Sequence, residues 1–199
     1  HELRTPLTAI QGSSDLMTRY NLPEGKRNDL AHMITSESRR LAQMIETFLN
    51  VERLSAGQID LRKGQVPVKD VVEACLGRAA KLADRKQIRL RVGALNGEQI
   101  LADRELIEYA LYNLVTNAIK YSPPETEVRL EVSREEDLVR VTVADQGMGM
   151  DQKELGQIFQ RFYRTRRAET SGEAGTGIGL SLVQQIVASH GGKVEVQST

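Results

Sequence analysis

The first six residues, His1-Glu2-Leu3-Arg4-Thr5-Pro6, bring an imidazole, a carboxylate and a hydroxyl group together. On a helix, His1 and Thr5 lie one turn apart on the same face, with Glu2 adjacent. Neutral imidazole is a nucleophile near pH 7, and a carboxylate that holds one ring nitrogen leaves the other free to attack. Taken alone, the motif fits a nucleophilic histidine or, more simply, a solvated surface residue. A zinc protease motif is excluded because position 5 carries no histidine.

A second polar motif, Asn113–Tyr121, falls within a long predicted helix. Asn113 and Asn117 are one turn apart and share a face, and Lys120 follows on the next turn. Amide oxygens can hold a Mg²⁺ ion that carries phosphates, and a nearby ammonium can balance the phosphate charge. Taken alone, the motif fits a magnesium–phosphate site or, more simply, a solvated helix face.

Two glycine motifs follow. Asp145–Gly149 comes directly after a predicted strand, where a carboxylate can accept a hydrogen bond from an amine such as that of adenine, and glycines let the backbone approach a flat ring. Gly175–Leu180 opens the predicted helix Ile178–His190, whose N-terminal N–H groups can surround phosphates. The first motif lacks the later acidic residues of an EF-hand, and the second lacks the Lys-Ser/Thr pair of a P-loop.

Between the glycine motifs, Ile158–Arg164 contains two of the three phenylalanines of the chain. Phe159 and Phe162, three residues apart, are suited to anchor the following polar segment, Thr165–Gly175, on the core as a mobile lid. Arg164, where the lid starts, is suited to reach a γ-phosphate. A small aromatic helix cap is the alternative.

Residues 1–55 are predicted to form a helical hairpin, with a turn at Tyr20–Gly25. Apolar residues recur on both sides of the turn with spacings of three, four or seven: Leu3, Leu7, Ile10 and Met17, then Leu30, Ile34, Leu41, Ile45, Phe48 and Val51. Two helices alone bury little surface. We therefore expect a homodimer that closes a four-helix bundle, with packing on the chain's own second domain as the alternative.

Residues from Val66 onward predict an α+β domain, with a largely antiparallel sheet and helices on one face. The predicted helices are Val68–Asp84, Ala102–Ser122 and Ile178–His190. The predicted strands are Ile88–Val92, Val128–Val132 and Leu138–Ala144, with a further strand starting at Lys193–Val196.

Composition is that of an ordinary globular protein and argues against two classes of partner. The 199 residues are 40% apolar and 27% charged, and 27 basic and 27 acidic residues give zero formal net charge. The chain has no excess of positive charge that would attract nucleic acid or an anionic membrane. It also has no apolar run long enough to span a membrane. The single cysteine, Cys75, is expected to be a buried core thiol. Because the chain begins at His1 rather than Met, we expect it to be part of a longer protein.

Taken in order, the motifs resemble the five sequence boxes of the sensor histidine kinase family, over essentially the whole chain. They are the H box His1–Leu7, the N box Asn113–Tyr121, the G1 box Asp145–Gly149, the F box Ile158–Arg164 and the G2 box Gly175–Leu180. The resemblance implies an α+β fold: a helical hairpin that forms a four-helix bundle on dimerisation, then an α/β sandwich ATP-binding domain of the GHKL type. The implied domains are 1–57 for dimerisation and phosphotransfer, 58–66 as a linker, and 67–199 for ATP binding.

The resemblance also implies residue roles. His1 would be the phospho-acceptor, Glu2 its acid/base partner, and Thr5 a residue used to dephosphorylate the response regulator. The site for ATP and Mg²⁺ would comprise Asn113, Asn117, Lys120, Tyr121, Asp145, Gly147, Gly149, Phe159, Arg164, Gly175, Thr176, Gly177, Gly179 and Leu180. The implied contacts are to Mg²⁺ by Asn113 and Asn117, to phosphates by Lys120 and Arg164, and to the base by Tyr121 and Asp145.

Position 113 separates two branches of the superfamily that this chain resembles. In gyrase-type members, a glutamate four residues before the Mg²⁺-binding asparagine activates water. Here Asn113 stands four residues before Asn117, and an amide is a poor general base. The resemblance therefore implies a domain that holds ATP without hydrolysing it quickly.

The implied function is an ATP-dependent protein-histidine kinase. It would phosphorylate its own His1, pass the phosphoryl group to an aspartate of a response-regulator receiver domain docked near Thr8 and Gly12, and also act as a phosphatase of that regulator. The implied location is the cytoplasm, with membrane attachment only through segments outside this chain and with no nucleic-acid partner. The alternatives are an ATP-driven conformational machine of the gyrase type and a dimerising scaffold that binds the regulator.

Overall fold

The computed structural model describes residues 3–55, 61–173 and 175–198. It divides into two compact units, His1–Arg53 and Leu54–Thr199. His1 and Glu2, the first two residues of the predicted phospho-acceptor motif, lie outside the described residues. The predicted division into a domain ending at residue 57, a linker over 58–66 and a second domain from residue 67 stays a prediction.

The first unit is a hairpin of two helices, α1 Arg4–Arg19 and α2 Glu24–Ser55. α1 stops where Tyr20 turns to extended backbone, and α2 starts directly after Pro23, whose fixed φ suits a helix start. Ser13 is buried on the inner face of α1, and its hydroxyl donates to the Met33 sulfur at 3.3 Å. Several large apolar side chains remain exposed on the hairpin: Leu3, Leu7, Leu16, Met33, Ile45 and Leu49.

The second unit mixes strands and helices. Its elements are β1 Gly64–Pro67, α3 Val68–Arg85, β2 Arg89–Val92, β3 Gln99–Ala102, α4 Arg104–Tyr121, β4 Glu127–Glu135, β5 Leu138–Ala144, α5 Gln152–Leu155, α6 Arg166–Thr170 and α7 Gly179–Ser189. A three-stranded sheet has the order β2-β4-β5, with β2 parallel and β5 antiparallel to β4. β1 and β3 form a separate antiparallel pair.

The core of this unit lies between the sheet and two helices. α3 and α4 pack on each other and on one face of the sheet, and alternate residues of β4 (Val128, Leu130 and Val132) point into that layer. Burial of each such side chain stabilises the fold by about 1.5–3 kcal/mol. α7 packs against α4 through its own buried face. The predicted fold class is therefore confirmed.

Cys75 lies in this core at 1% exposure, as expected. Burial raises the pKa of its thiol to about 11. The thiol is therefore protonated near neutral pH and acts as a small apolar side chain.

Three predicted elements differ from the structure. Ala102 ends β3, which was not predicted, and α4 begins only at Arg104 because the Asp103 side chain caps it by accepting from the Leu106 N–H. The predicted strand at Lys193–Val196 is wrong, since residues 192–198 have no strand pairing. The lid segment is not all loop, because the Thr165 hydroxyl caps the short helix α6.

His190 joins the end of α7 to the start of α4. Its Nδ1 lies 2.7 Å from the Ile186 carbonyl, and its Nε2 accepts the backbone N–H of Asp103 at 2.9 Å. Because a carbonyl can only accept, Nδ1 carries the hydrogen of this contact, and Nε2 presents its lone pair to the Asp103 N–H. Asp103 also accepts from the N–H of Arg62 at 3.0 Å, so the segment entering this unit is fixed at the same place.

We expect His190→Ala to lower the free energy of unfolding of this unit by about 1–3 kcal/mol, because the substitution leaves the Asp103 N–H without its acceptor. Urea denaturation followed by circular dichroism measures the loss. Gln184→Ala, at an exposed position of the same helix, is the matched control and is expected to change stability by less than about 0.5 kcal/mol. Equal losses in both variants would contradict this role of His190.

Candidate functional site

Asp145 lies directly after β5 and begins the first glycine motif. Its side chain is exposed, and Oδ1 accepts a hydrogen bond from the backbone N–H of Gly147 at 2.8 Å. A Cβ on Gly147 would lie 2.7 Å from that oxygen and 3.1 Å from the carbonyl of Tyr121. The loop therefore turns tightly against the end of α4, and its carboxylate stays accessible to a hydrogen-bond donor.

Asn113 connects α4 with the start of α7. Its side-chain N–H donates to the Tyr109 carbonyl at 3.0 Å, which orients Oδ1 toward Gly179. A Cβ on Gly179 would approach that oxygen to 2.7 Å, so the glycine permits the two helices to meet here. Asn117, one turn further along α4, is half-buried. Leu180 and Thr176, which flank Gly179 and Gly177, are also half-buried.

The end of α4 meets the lid. A Cβ on Gly175 would lie 3.4 Å from the Tyr121 hydroxyl and 3.6 Å from Nε of Arg164. Burial lowers the pKa of the neighbouring Lys120 ammonium, while the Glu173 carboxylate opposes that shift and the Arg164 guanidinium adds to it. The structure thus brings together Tyr121, Arg164 and Gly175, which are far apart in sequence, and the charges of Arg164 and Glu173 act on Lys120.

Arg164 is held inside the lid. Its Nη2 donates to the carbonyls of Ala168, at 2.6 Å, and Glu173, at 2.8 Å. Its Nε is buried and, among the described residues, donates to no partner. A buried donor without an acceptor costs folding free energy, so this N–H is suited to donate to an anionic ligand beside Gly175.

The two ends of the lid are joined by backbone. The Phe162 N–H donates to the Gly177 carbonyl at 2.9 Å, and both residues have positive φ, +65° and +67°. A Cβ on Gly177 would lie 2.6 Å from the carbonyl carbon of Phe162. Lid residue Arg167 also donates to the Met148 carbonyl at 2.7 Å, which ties the lid to the first glycine motif.

The phenylalanines anchor the lid less than predicted. Ile158 is the buried residue of this motif, Phe159 is half-buried and Phe162 is 39% exposed. The motif's backbone therefore closes the lid, through Phe162 and Gly177, more than its rings do.

Two residues of this region were not predicted. Lys86, just after α3, donates to the Lys120 carbonyl and to Oε1 of Glu173, the latter at 2.8 Å. These residues are separated by 34 and 87 positions in sequence, so no local motif contains them together.

The residues present fit a nucleotide with a magnesium ion. The exposed Asp145 carboxylate suits an amine donor, and the Lys120 ammonium and the orphaned Arg164 Nε suit phosphates. Within the described ranges, no cluster of three or more His, Cys, Asp or Glu side chains could hold a metal. A Mg²⁺ ion would therefore depend on amide oxygens such as those of Asn113 and Asn117, together with the phosphates it carries.

The predicted catalytic motif is only partly described. Thr5 lies in the first turn of α1 and is exposed, as are Thr8 and Gly12 further along that helix. Within the part of the chain that is described, no helix is long and apolar enough to cross a membrane.

Two family models match the chain, in the order that its motifs suggested. The model described as the His Kinase A (phospho-acceptor) domain matches residues 1–57. The model described as histidine kinase-, DNA gyrase B- and HSP90-like ATPase matches residues 102–199.

Individual relatives extend the similarity to the full chain. The sensor-like histidine kinase SenX3 of Mycolicibacterium smegmatis is 32% identical over 199 residues, which are 100% of this chain and 52% of that protein. The sensor protein SrrB of Staphylococcus aureus is 28% identical over 100% of this chain and 34% of its own length. The chain thus spans about half or less of the length of these relatives.

Solved structures show the same fold. The Acinetobacter baumannii histidine kinase AdeS aligns with a TM-score of 0.75 and 23% identity, over 95% of this chain and 86% of that chain. Full-length ShkA in complex with AMPPNP aligns with a TM-score of 0.70 and 28% identity, over 96% of this chain and 40% of that one. ThkA in complex with the response regulator protein TrrA aligns with a TM-score of 0.75 and 22% identity, over 96% of this chain and 53% of that one.

Proposed function

Because the chain belongs to the sensor histidine kinase family, we propose that it binds ATP and Mg²⁺, phosphorylates its own His1 and passes the phosphoryl group to a response-regulator aspartate. The proposal is carried by side chains that converge at the end of α4. Tyr121 and Asp145, whose loop packs against Tyr121, are suited to the base, and Lys120 and Arg164 are suited to the phosphates. The related ShkA was crystallised with AMPPNP, which supports a nucleotide at this site.

In the proposed reaction, a ring nitrogen of His1 forms a bond to the γ-phosphorus of ATP while the bond from that phosphorus to the ADP oxygen breaks. Glu2 accepts the proton from the other nitrogen and keeps the attacking nitrogen unprotonated. Asn113 and Asn117 would hold Mg²⁺, which would neutralise phosphate charge when bound. The remaining contribution of the chain is to position and neutralise the phosphates through Lys120 and Arg164.

The position of Asn113 supports phosphotransfer over hydrolysis. Its amide already donates to the Tyr109 carbonyl and packs on Gly179, and an amide cannot remove a proton from water at neutral pH. A steady ATPase of the gyrase type is therefore not the proposed activity.

The exposed apolar side chains of the hairpin support a homodimer. Six large side chains are each 45–49% exposed: Leu3, Leu7, Leu16, Met33, Ile45 and Leu49. A second copy that closes a four-helix bundle would cover such a surface.

We infer that the regulator's receiver domain docks on α1 near Thr8 and Gly12. ThkA, which shares the fold, was crystallised in complex with the response regulator protein TrrA. The need for ATP and for a regulator partner favours a cytoplasmic location.

The proposed activity is tested by incubating the chain with γ-labelled ATP and Mg²⁺ and then treating the product with acid or base. A phosphohistidine is expected, so the label should survive base and be lost in acid. Continuous release of phosphate without labelled protein would instead support the gyrase-type alternative.

A second candidate function, dephosphorylation of the regulator, is favoured by the exposed hydroxyl of Thr5 in the first turn of α1. We expect Thr5→Ala to slow loss of label from a phosphorylated receiver domain by about 10-fold or more, while His1 labelling stays within about twofold. Thr18→Ala, near the other end of α1, is the control and should change neither rate. Equal loss of labelling and dephosphorylation in Thr5→Ala would contradict separate roles.

A further inference from the structure

A carboxylate of the lid is paired with a lysine that follows α3 and also contacts the end of α4. Oε1 of Glu173 lies 2.8 Å from Nζ of Lys86, and the same Nζ donates to the backbone carbonyl of Lys120. Lys86 therefore joins the lid to the last turn of α4, which carries Lys120, the lysine that we propose binds phosphate.

Glu173 acts on more than one cation. Burial lowers the pKa of the Lys120 ammonium, and the Glu173 carboxylate is the charge that works against this shift. The guanidinium of Arg164, which also acts on Lys120, donates to the carbonyl of Glu173 at 2.8 Å. The Glu173 carboxylate thus lies within electrostatic reach of Lys120, which is assigned to phosphates, and in direct contact with a second cation, Lys86, while Arg164 binds the backbone carbonyl of the same residue.

The pair differs from an ordinary surface ion pair. The side chains of Lys86 and Glu173 are only 23% and 33% exposed. The backbone of Glu173 is fixed at both ends, because its carbonyl accepts from Arg164 and its N–H donates to the Ser171 hydroxyl at 3.3 Å. A fixed, half-buried pair retains more of its Coulomb energy than two exposed, freely rotating side chains.

We propose that Glu173 is an internal competitor of the nucleotide: its carboxylate occupies the positive field that the phosphates engage, and Lys86 is a further phosphate-binding residue of the site. The inference rests on the proposed function, since it takes ATP as the ligand. Phosphates that enter this field meet a carboxylate of like charge, so binding requires Glu173 to release Lys86 and turn toward solvent. The competition sets nucleotide affinity below what the basic residues alone would give.

The test compares phosphate-bearing and phosphate-free ligands. In Glu173→Gln, which keeps shape and removes charge, we expect ADP to bind about three- to tenfold more tightly by isothermal titration calorimetry. Adenosine carries no phosphate, so its affinity should change by less than about twofold when measured by chemical-shift titration. The gain in ADP affinity should shrink as salt is raised, because salt screens both the attraction between Glu173 and Lys86 and the attraction between the phosphates and the basic side chains.

Glu169→Gln is the matched control. Glu169 is exposed on α6 of the same lid, and its substitution by Gln removes the same charge. The ion pair of Lys86 is with Glu173 and not with Glu169. Its effect on ADP affinity should be less than about twofold, since exposed charges are well screened. A thermal melt of both variants establishes that each is folded.

A double-mutant cycle tests the part of Lys86. Lys86→Gln alone should weaken ADP binding, and in that background Glu173→Gln should give a smaller gain than in the unchanged chain. Unchanged or weaker ADP binding in Glu173→Gln would show that the carboxylate only fastens the lid and would overturn the inference. An equal gain for adenosine would overturn it as well. If the unchanged chain bound no ADP at all, the proposed function itself would fail, which is a different result from these two.

Discussion

His1→Ala is expected to remove all labelling by γ-labelled ATP while ATP binds as tightly as to the unchanged chain. The phosphoryl group needs a nucleophile that is neutral near pH 7, and alanine offers none. The residues proposed to bind the nucleotide all lie in the second unit, which does not contain position 1, so the affinity for ATP should change by less than about twofold. Acid-labile label on gel-purified chain measures the first effect, and calorimetry with ATP measures the second.

The other two histidines provide the control. The chain has three histidines, and His32 is exposed on α2 whereas His190 has both ring nitrogens engaged in packing α7 against α4. His32→Ala should therefore retain full labelling. Label that persists in His1→Ala but disappears in His32→Ala would move the acceptor and refute the assignment of His1.

The elements predicted best were those whose signal is local. The periodicity of Val68–Asp84 placed α3 within one residue of its observed end at Arg85, and alternation located β4 and β5. The strand at Lys193–Val196 was predicted from the same kind of alternation and is wrong. A strand also needs a partner, and pairing depends on residues distant in sequence, which alternation does not report.

β3 and the start of α4 were missed for a related reason. Gln99–Ala102 is four residues long, too short for a periodic pattern, and its strand pairing to β1 lies more than thirty positions upstream. Ala102 is a good helix former, so propensity alone extended α4 backward through it. The Asp103 cap, visible in sequence as an acidic residue three positions before Leu106, was the signal that marked the true start.

The site could be predicted only where chemistry is written in one motif. Asp145 and its glycines form such a motif, and the structure gives them the tight turn that the glycines allow. Lys86 and Glu173 have ordinary neighbours in sequence and acquire their meaning from contact across 87 positions. The unequal burial of Ile158 and the phenylalanines also depends on packing, because their spacing is that of any helix turn.

Gly177→Ala is expected to lower ADP affinity by about tenfold or more and the free energy of unfolding by about 2–4 kcal/mol. Two costs combine at this position. Its φ of +67° disfavours any side chain, and a Cβ would come within 2.6 Å of the Phe162 carbonyl carbon, which is backbone and cannot rotate away. The backbone hydrogen bond from Phe162 to Gly177 closes the base of the lid, so the collision must open it.

Gly172→Ala separates the two costs. Gly172 has a comparable φ of +74°, but a Cβ there meets no atom within 4 Å. That variant should therefore carry only the backbone penalty, about 1–2 kcal/mol, and should leave ADP affinity within about threefold. Calorimetry with ADP and urea denaturation of both variants make the comparison. If the two glycines proved equally sensitive, backbone strain alone would explain the loss, and the closed base at Phe162 would not be what holds the nucleotide lid in place.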